Sequence, residues 1–72
     1  MTVHKHRKLL GERIRFYRKR AKLSQEKLAE LADLHSKYVS EVERGGKTIS
    51  VDALFRIAKG LGVSIRSLFP ED

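Results

Sequence analysis

At 72 residues with no cysteine, the chain sits near the lower size limit for one self-sufficient core, and it has neither disulfides nor cysteine-ligated metal to reinforce it. The absence of cysteine is compatible with a reducing cytoplasm, the expected location, and no apolar run is long enough for a membrane span or a signal-peptide core, so no membrane partner is expected. The net charge of +7 is unevenly placed: residues 1–23 carry nine Lys/Arg against one Glu, residues 24–43 two Lys against five acids, and residues 44–72 five Lys/Arg against three acids. The basic first segment is either a solvated helix face or a field that attracts a polyanion.

Residues 1–6 have no apolar period and read as a flexible basic tail, leaving residues 7–72 as one domain. His4-Lys5-His6 offers two metal ligands without a third, so no metal is expected. A first helix is expected from Arg7 to Arg20, with Leu10, Ile14, Tyr17 and Ala21 on one inward face. Leu9 and Phe16, one heptad apart, lie off that face and are either ordinary exposed side chains or a small contact surface.

A second helix spans Ser24 to Ala32, with Ser24 as cap and Leu28, Ala29 and Ala32 turned inward. Ala29 supplies the small side chain needed where short helices cross. Gln25 stands at its start, where backbone N–H groups favour an anion, or where it could join a local capping arrangement. The run breaks at Asp33-Leu34-His35. His35 is a poor cap, and Ser36 could replace it and start the next helix one residue later. That third helix runs from Ser36 to Glu43, buries Val39 and Val42, and stops at a left-handed Gly45. It leaves Ser36, Lys37, Ser40, Glu41 and Arg44 outward, a polar face of the kind that reads base edges in a major groove. Tyr38 either donates to a phosphate or covers the core edge. Gly45-Gly46-Lys47-Thr48 either grips phosphate or merely connects.

Ser50 caps a fourth helix with Asp52 in its first turn, Leu54, Ile57, Ala58 and Leu61 inward, and Gly60 and Gly62 ending it. Ser64 caps a fifth helix that runs to Leu68, and Pro70 blocks its continuation. The expected fold is therefore all-α, a compact five-helix bundle containing a helix-turn-helix.

The segments SQEKLAE, YVSEVERG and SVDALFRIAKGLGVSIRSLF resemble the phage repressor and Cro-type (XRE-like) helix-turn-helix family over Leu10 to Phe69. HSKYVSEVERG most resembles the small controller proteins of restriction–modification systems. The resemblance implies a lambda-repressor-like DNA-binding domain, an Arg18–Glu43 ion pair tying the first helix to the third, a phosphate contact at Gln25, and a two-fold interface at Val63, Ile65, Leu68 and Phe69. Those four side chains could instead simply close the core. The chain departs from the family's pattern at Phe16, usually polar, at Asp33, commonly glycine because the family's turn takes positive φ there, which aspartate tolerates, at His35, usually Ser or Thr, and at Ile49, often proline.

The resulting expectation is a transcription regulator that binds double-stranded DNA sequence-specifically, as a homodimer and repressor-like, with no catalytic residues and no cofactor. Ser36, Lys37, Ser40 and Glu41 would read bases, while Gln25, Tyr38, Arg44, Lys47 and Thr48 would hold phosphates. The chain ends at Asp72, so no small-molecule effector domain is expected. The alternative is an antitoxin-like or adaptor protein that binds a partner protein, for which Leu9 and Phe16 are the candidate surface.

Overall fold

The computed structural model describes residues 3–69, with side chains from Lys5 onward. Five helices follow in order, α1 Val3–Arg20, α2 Gln25–Ala32, α3 Ser36–Glu43, α4 Val51–Leu61 and α5 Ile65–Leu68, with no strand among the described residues. α1 starts at Val3 rather than Arg7, so residues 3–6 of the expected tail are helical. Extending a helix that already exists adds one hydrogen bond per residue without a new nucleus, and nothing in Val3–His6 prevents it. Pro70 and the imidazole of His4 lie outside the described residues.

The core is built from Ile14, Leu28, Val39, Ile57 and Leu68, all fully buried, with Val42, Leu54, Ala58 and Leu61 around them. α2 packs across α4, and α3 packs against both α1 and α2. Two glycines allow close approaches. Gly11 is buried in the middle of α1, where a methyl group would overlap the carbonyl oxygens of Val42 and Glu43. Gly60 does not end α4 but lies within its last turn; a Cβ there would stand 3.3 Å from Leu28 Cδ1 and 3.4 Å from Leu31 Cβ. Ala29, 2% exposed, fills the small position on α2. Ala21, expected on the inward face of α1, falls beyond the helix end and is exposed.

Four helices end in one hydrogen-bonding pattern. After α1, Lys22 N–H donates to Lys19 and Leu23 N–H to Arg18; after α2, Asp33 donates to Glu30 and Leu34 to Ala29. The ends of α3 (Gly45 to Val42, Gly46 to Glu41) and α4 (Gly62 to Lys59, Val63 to Ala58) repeat it. Each has a left-handed residue at the same place: Lys22 (φ 61°), Asp33 (φ 56°), Gly45 (φ 76°) and Gly62 (φ 72°). This is the Schellman arrangement, which satisfies the last carbonyls of a helix. In three cases the residue that follows (Leu23, Leu34, Val63) packs against the core, and that burial holds even lysine and aspartate in a region that costs a non-glycine residue about 1 kcal/mol or more.

The helix starts are less uniform. Ser24 Oγ accepts from Lys27 N–H at 2.9 Å and Ser50 Oγ from Ala53 N–H at 3.0 Å, as capping requires. Ser64 has the extended backbone of a cap, but its hydroxyl meets Ser67 Oγ at 3.1 Å and makes no capping bond. α5 is anchored from outside instead: Arg13 Nε and Nη2 both donate to the Ser67 carbonyl, at 3.2 and 2.8 Å.

Candidate nucleic-acid interface

α3 is fixed at one end and open at the other. At its C-terminal end Glu43 is 6% exposed and receives two hydrogen bonds from Arg18, Nε to Oε2 at 2.6 Å and Nη2 to Oε1 at 3.0 Å. Arg18 Nη1 donates to the Leu23 carbonyl at 2.8 Å, and Gln25 Nε2 donates to Glu43 Oε1 at 3.0 Å. A nearly buried carboxylate is thus bonded by a guanidinium and an amide, the condition under which a buried charge is tolerated. Four elements meet there: α1, the turn after it, the first residue of α2 and the last residue of α3.

The N-terminal end of α3 has no such hold. His35 takes the N-cap position (φ −79°, ψ 139°) without a side-chain bond to the first turn. The helix still begins at Ser36, so the one-residue shift considered from the sequence does not occur. Ser36, Lys37 and Ser40 open into one shallow groove with Arg18, Ser24, Gln25 and Glu26. Three of the four expected base-reading residues therefore share a concavity with Gln25. Glu41 faces another way: its carboxylate lies 3.8 Å from Lys47 Nζ, and that ammonium stands 5.5 Å from the Tyr38 ring centroid. Two residues given separate tasks, Glu41 and Lys47, are thus partners in the structure.

Tyr38 is half-buried against the core, and its oxygen accepts from Ser50 N–H at 3.4 Å, which leaves its O–H proton available to a further acceptor. Thr48 Oγ1 accepts from Arg7 Nη1 at 3.3 Å, tying the 45–48 loop to α1. Arg44 is exposed at the C-cap of α3.

Known proteins share this fold and family. The HTH_3 helix-turn-helix family matches residues 14–68. The control protein C.BamHI of Bacillus amyloliquefaciens is 43% identical over 63 residues, covering 86% of this chain and 78% of that protein. The immunity repressor of Bacillus phage phi105 is 35% identical, over 88% of this chain but 44% of its own length. Among solved structures, the restriction-modification controller protein C.AhdI from Aeromonas hydrophila superposes with a TM-score of 0.86 at 38% identity, over 88% of this chain and 96% of that one. This chain belongs to the HTH_3 (XRE-type) helix-turn-helix family.

That family consists of DNA-binding transcription regulators, not enzymes. Among the described residues no His/Cys/Asp/Glu group could hold a metal ion, and no helix is long and apolar enough to cross a membrane. The surface expected to form a two-fold interface is altered in one respect. Leu68 is 0% exposed and belongs to the monomer's own core, because α5 turns that side inward. Val63 and Ile65 are half-buried against the core, and Phe69, 52% exposed, is the open member of the set. Leu9 is half-buried, and Phe16, 56% exposed, has its ring edge-on to Tyr17 at 5.1 Å.

Sequence reasoning missed Gly11 and Arg13, which position α3 and α5 without touching the groove. An isolated glycine inside a helical period was the available signal for Gly11. Arg13 had none, since an arginine beside an apolar stripe is ordinary.

Proposed function

We propose that the chain is a sequence-specific regulator of the restriction–modification controller type, which binds double-stranded DNA in the cytoplasm as a homodimer on a two-fold operator. α3 enters the major groove N-terminus first. Ser36, Lys37 and Ser40 read base edges. Lys37 donates to guanine O6 or N7, and the serines donate or accept. Glu41 accepts from cytosine N4 at the far side of the reading face, where Lys47 offsets part of its charge toward the backbone. Gln25 uses one amide N–H on Glu43, which leaves the second for a phosphate. Arg44, Lys47 and Thr48 hold phosphates beyond the other end of α3, with Tyr38 beside the Lys47 loop. Val63, Ile65 and Phe69 form the two-fold contact.

The observation that carries this reading is the shared groove of Gln25, Ser36, Lys37 and Ser40, set in orientation by the Arg18–Glu43 pair. Selection of bound fragments from random duplex DNA tests it. The expected product is an inverted repeat with half-sites about one turn, on the order of 34 Å, apart. A pool without sequence enrichment would overturn sequence-specific recognition, and enrichment of single half-sites by a monomer would overturn the dimer.

A further inference from the structure

The proposed reading unit carries the wrong charge for its task. Residues 24–43, which hold α2 and α3, have two Lys against five acids, so a polyanion is not drawn to them by their own field. The attraction has to come from neighbouring segments, and residues 1–23 hold nine cations. Several of these have structural partners: Arg18 is paired with Glu43, Arg13 holds the Ser67 carbonyl, and Arg7 donates to Thr48. Lys8, Arg15, Lys19 and Lys22 are exposed and make no side-chain hydrogen bond or ion pair among the described residues.

Their placement is ordered. With about 100° per residue, Lys8, Arg15 and Lys19 fall within an arc of about 40° on α1, and Lys22 follows just past its end. The arc flanks Gly11 and Arg18, two positions that face α3. At one end, the Lys8 backbone packs against Gly45, at the start of the loop that carries Lys47. At the other, Arg18, one turn along α1 from Arg15 and next to Lys19 in the chain, lines the groove with Gln25, Ser36 and Lys37. Lys8 to Lys22 spans about 21 Å at 1.5 Å per residue, long enough to follow several phosphates.

We infer that Lys8, Arg15, Lys19 and Lys22 form a strip along the rim of the interface that tracks the DNA backbone. It supplies the sequence-independent attraction that the acidic α2–α3 unit lacks. This inference rests on the DNA-reading assignment of α3, and it adds a set of phosphate contacts separate from those at Gln25 and the 45–48 loop.

The test compares two charge-matched double variants of the full chain, Arg15→Gln with Lys19→Gln on the strip, and Arg20→Gln with Lys59→Gln away from it. Each is bound to selected and to scrambled duplexes across a salt series, with thermal melts to establish that both are folded. The strip pair is expected to make the log-affinity against log-salt slope shallower by about two units. It should weaken both duplexes alike, so that the ratio between them holds. The control pair should change the slope by less than about half a unit. Equal losses from the two pairs would overturn the strip in favour of net charge alone, as would an unchanged slope in the strip pair. A wild-type chain without preference for the selected duplex would overturn the regulatory reading, while the strip would still stand or fall on the two slopes.

Discussion

The two ends of α3 are built on opposite principles. Its C-terminal end is held from every side. Glu43 takes bonds from Arg18 and Gln25, Gly45 turns left-handed against Lys8, and the carbonyls of Val42 and Glu43 sit where only a glycine at position 11 leaves room. Its N-terminal end has no side-chain cap, and the first-turn side chains open into a groove. An eight-residue helix cannot hold its own direction. Clamping the far end fixes the axis, and leaving the near end unbonded keeps N–H groups and side chains available to a ligand. Stability and recognition are therefore separated along one helix. Substitutions in the clamp should destabilise the domain, and substitutions at the N-terminal end should change DNA binding while the fold persists.

The largest effect is expected from splitting the ion pair. Arg18→Met leaves the nearly buried Glu43 carboxylate with only the Gln25 amide, and Glu43→Gln leaves the guanidinium without its counter-charge. Each should cost about 3–5 kcal/mol, while the double variant should cost less than the sum, because no uncompensated charge remains. Urea melts of the two singles and the double measure this. Strictly additive losses would mean that the pair is not the clamp.

Next comes Gly11→Ala. The added methyl meets backbone carbonyls, which cannot rotate away as a side chain would, so α1 and α3 must separate. A loss of about 2–3 kcal/mol is expected. Gly60→Ala is the internal comparison: its Cβ meets the side chains of Leu28 and Leu31 at 3.3 and 3.4 Å, which can shift by tenths of an ångström. It also gains helix propensity of about 1 kcal/mol. It should therefore be close to neutral, and a Gly60→Ala loss as large as that of Gly11→Ala would erase the distinction between backbone and side-chain contact.

At the open end the expected effects move from stability to binding. Lys37→Ala should cost about 1–3 kcal/mol of binding to the operator and relax preference at one base position. Lys47→Ala should weaken selected and scrambled DNA alike and make the salt slope shallower by roughly one unit. Neither should lower the melting midpoint much, since both side chains are exposed. If Lys37→Ala weakens both duplexes equally, Lys37 holds a phosphate and α3 lies in the groove differently from the proposal.

The same division explains what could be read in the sequence. Ser24 and Ser50 were legible because a serine before an apolar period has one capping use, and Asp33 because the family the chain resembles commonly has a glycine with positive φ there. Lys22 takes the same conformation after α1 but carries no such signal; the burial of Leu23 imposes it. The extra turn of α1 was illegible because residues 4–8 carry no apolar side chain, so no period leads into the helix. Leu68 was misplaced because four residues are too few to display a helical period, so nothing local separates the buried side of α5 from the open one. The outward face of α3 was legible from spacing alone. The partition of that face, with Ser36, Lys37 and Ser40 on the groove and Glu41 beside Lys47, required knowing where the 45–48 loop returns.

The smallest effect concerns the missing cap itself. His35 has the backbone of an N-cap and no bond to make from it. His35→Thr would place a hydroxyl oxygen within reach of the second- or third-residue N–H of α3, a gain of about 0.5–1 kcal/mol in a urea melt. His35→Asp would supply the same bond, and its charge would also favour the helix dipole. Yet Glu26 and Glu30 line the hollow beside His35, so part of that gain is lost to like-charge repulsion. On DNA the two should diverge. Threonine, neutral, should leave operator affinity within about twofold, whereas aspartate puts a negative charge at the end of α3 that enters the groove and should weaken every duplex by about tenfold at low salt, less as salt screens it. If threonine stabilises the fold and weakens DNA as much as aspartate does, the uncapped N–H groups are themselves ligand-binding groups, and the open end of α3 works through its backbone as well as its side chains. If neither substitution affects DNA, the N-terminus of α3 lies away from the duplex, and the proposed direction of entry is wrong.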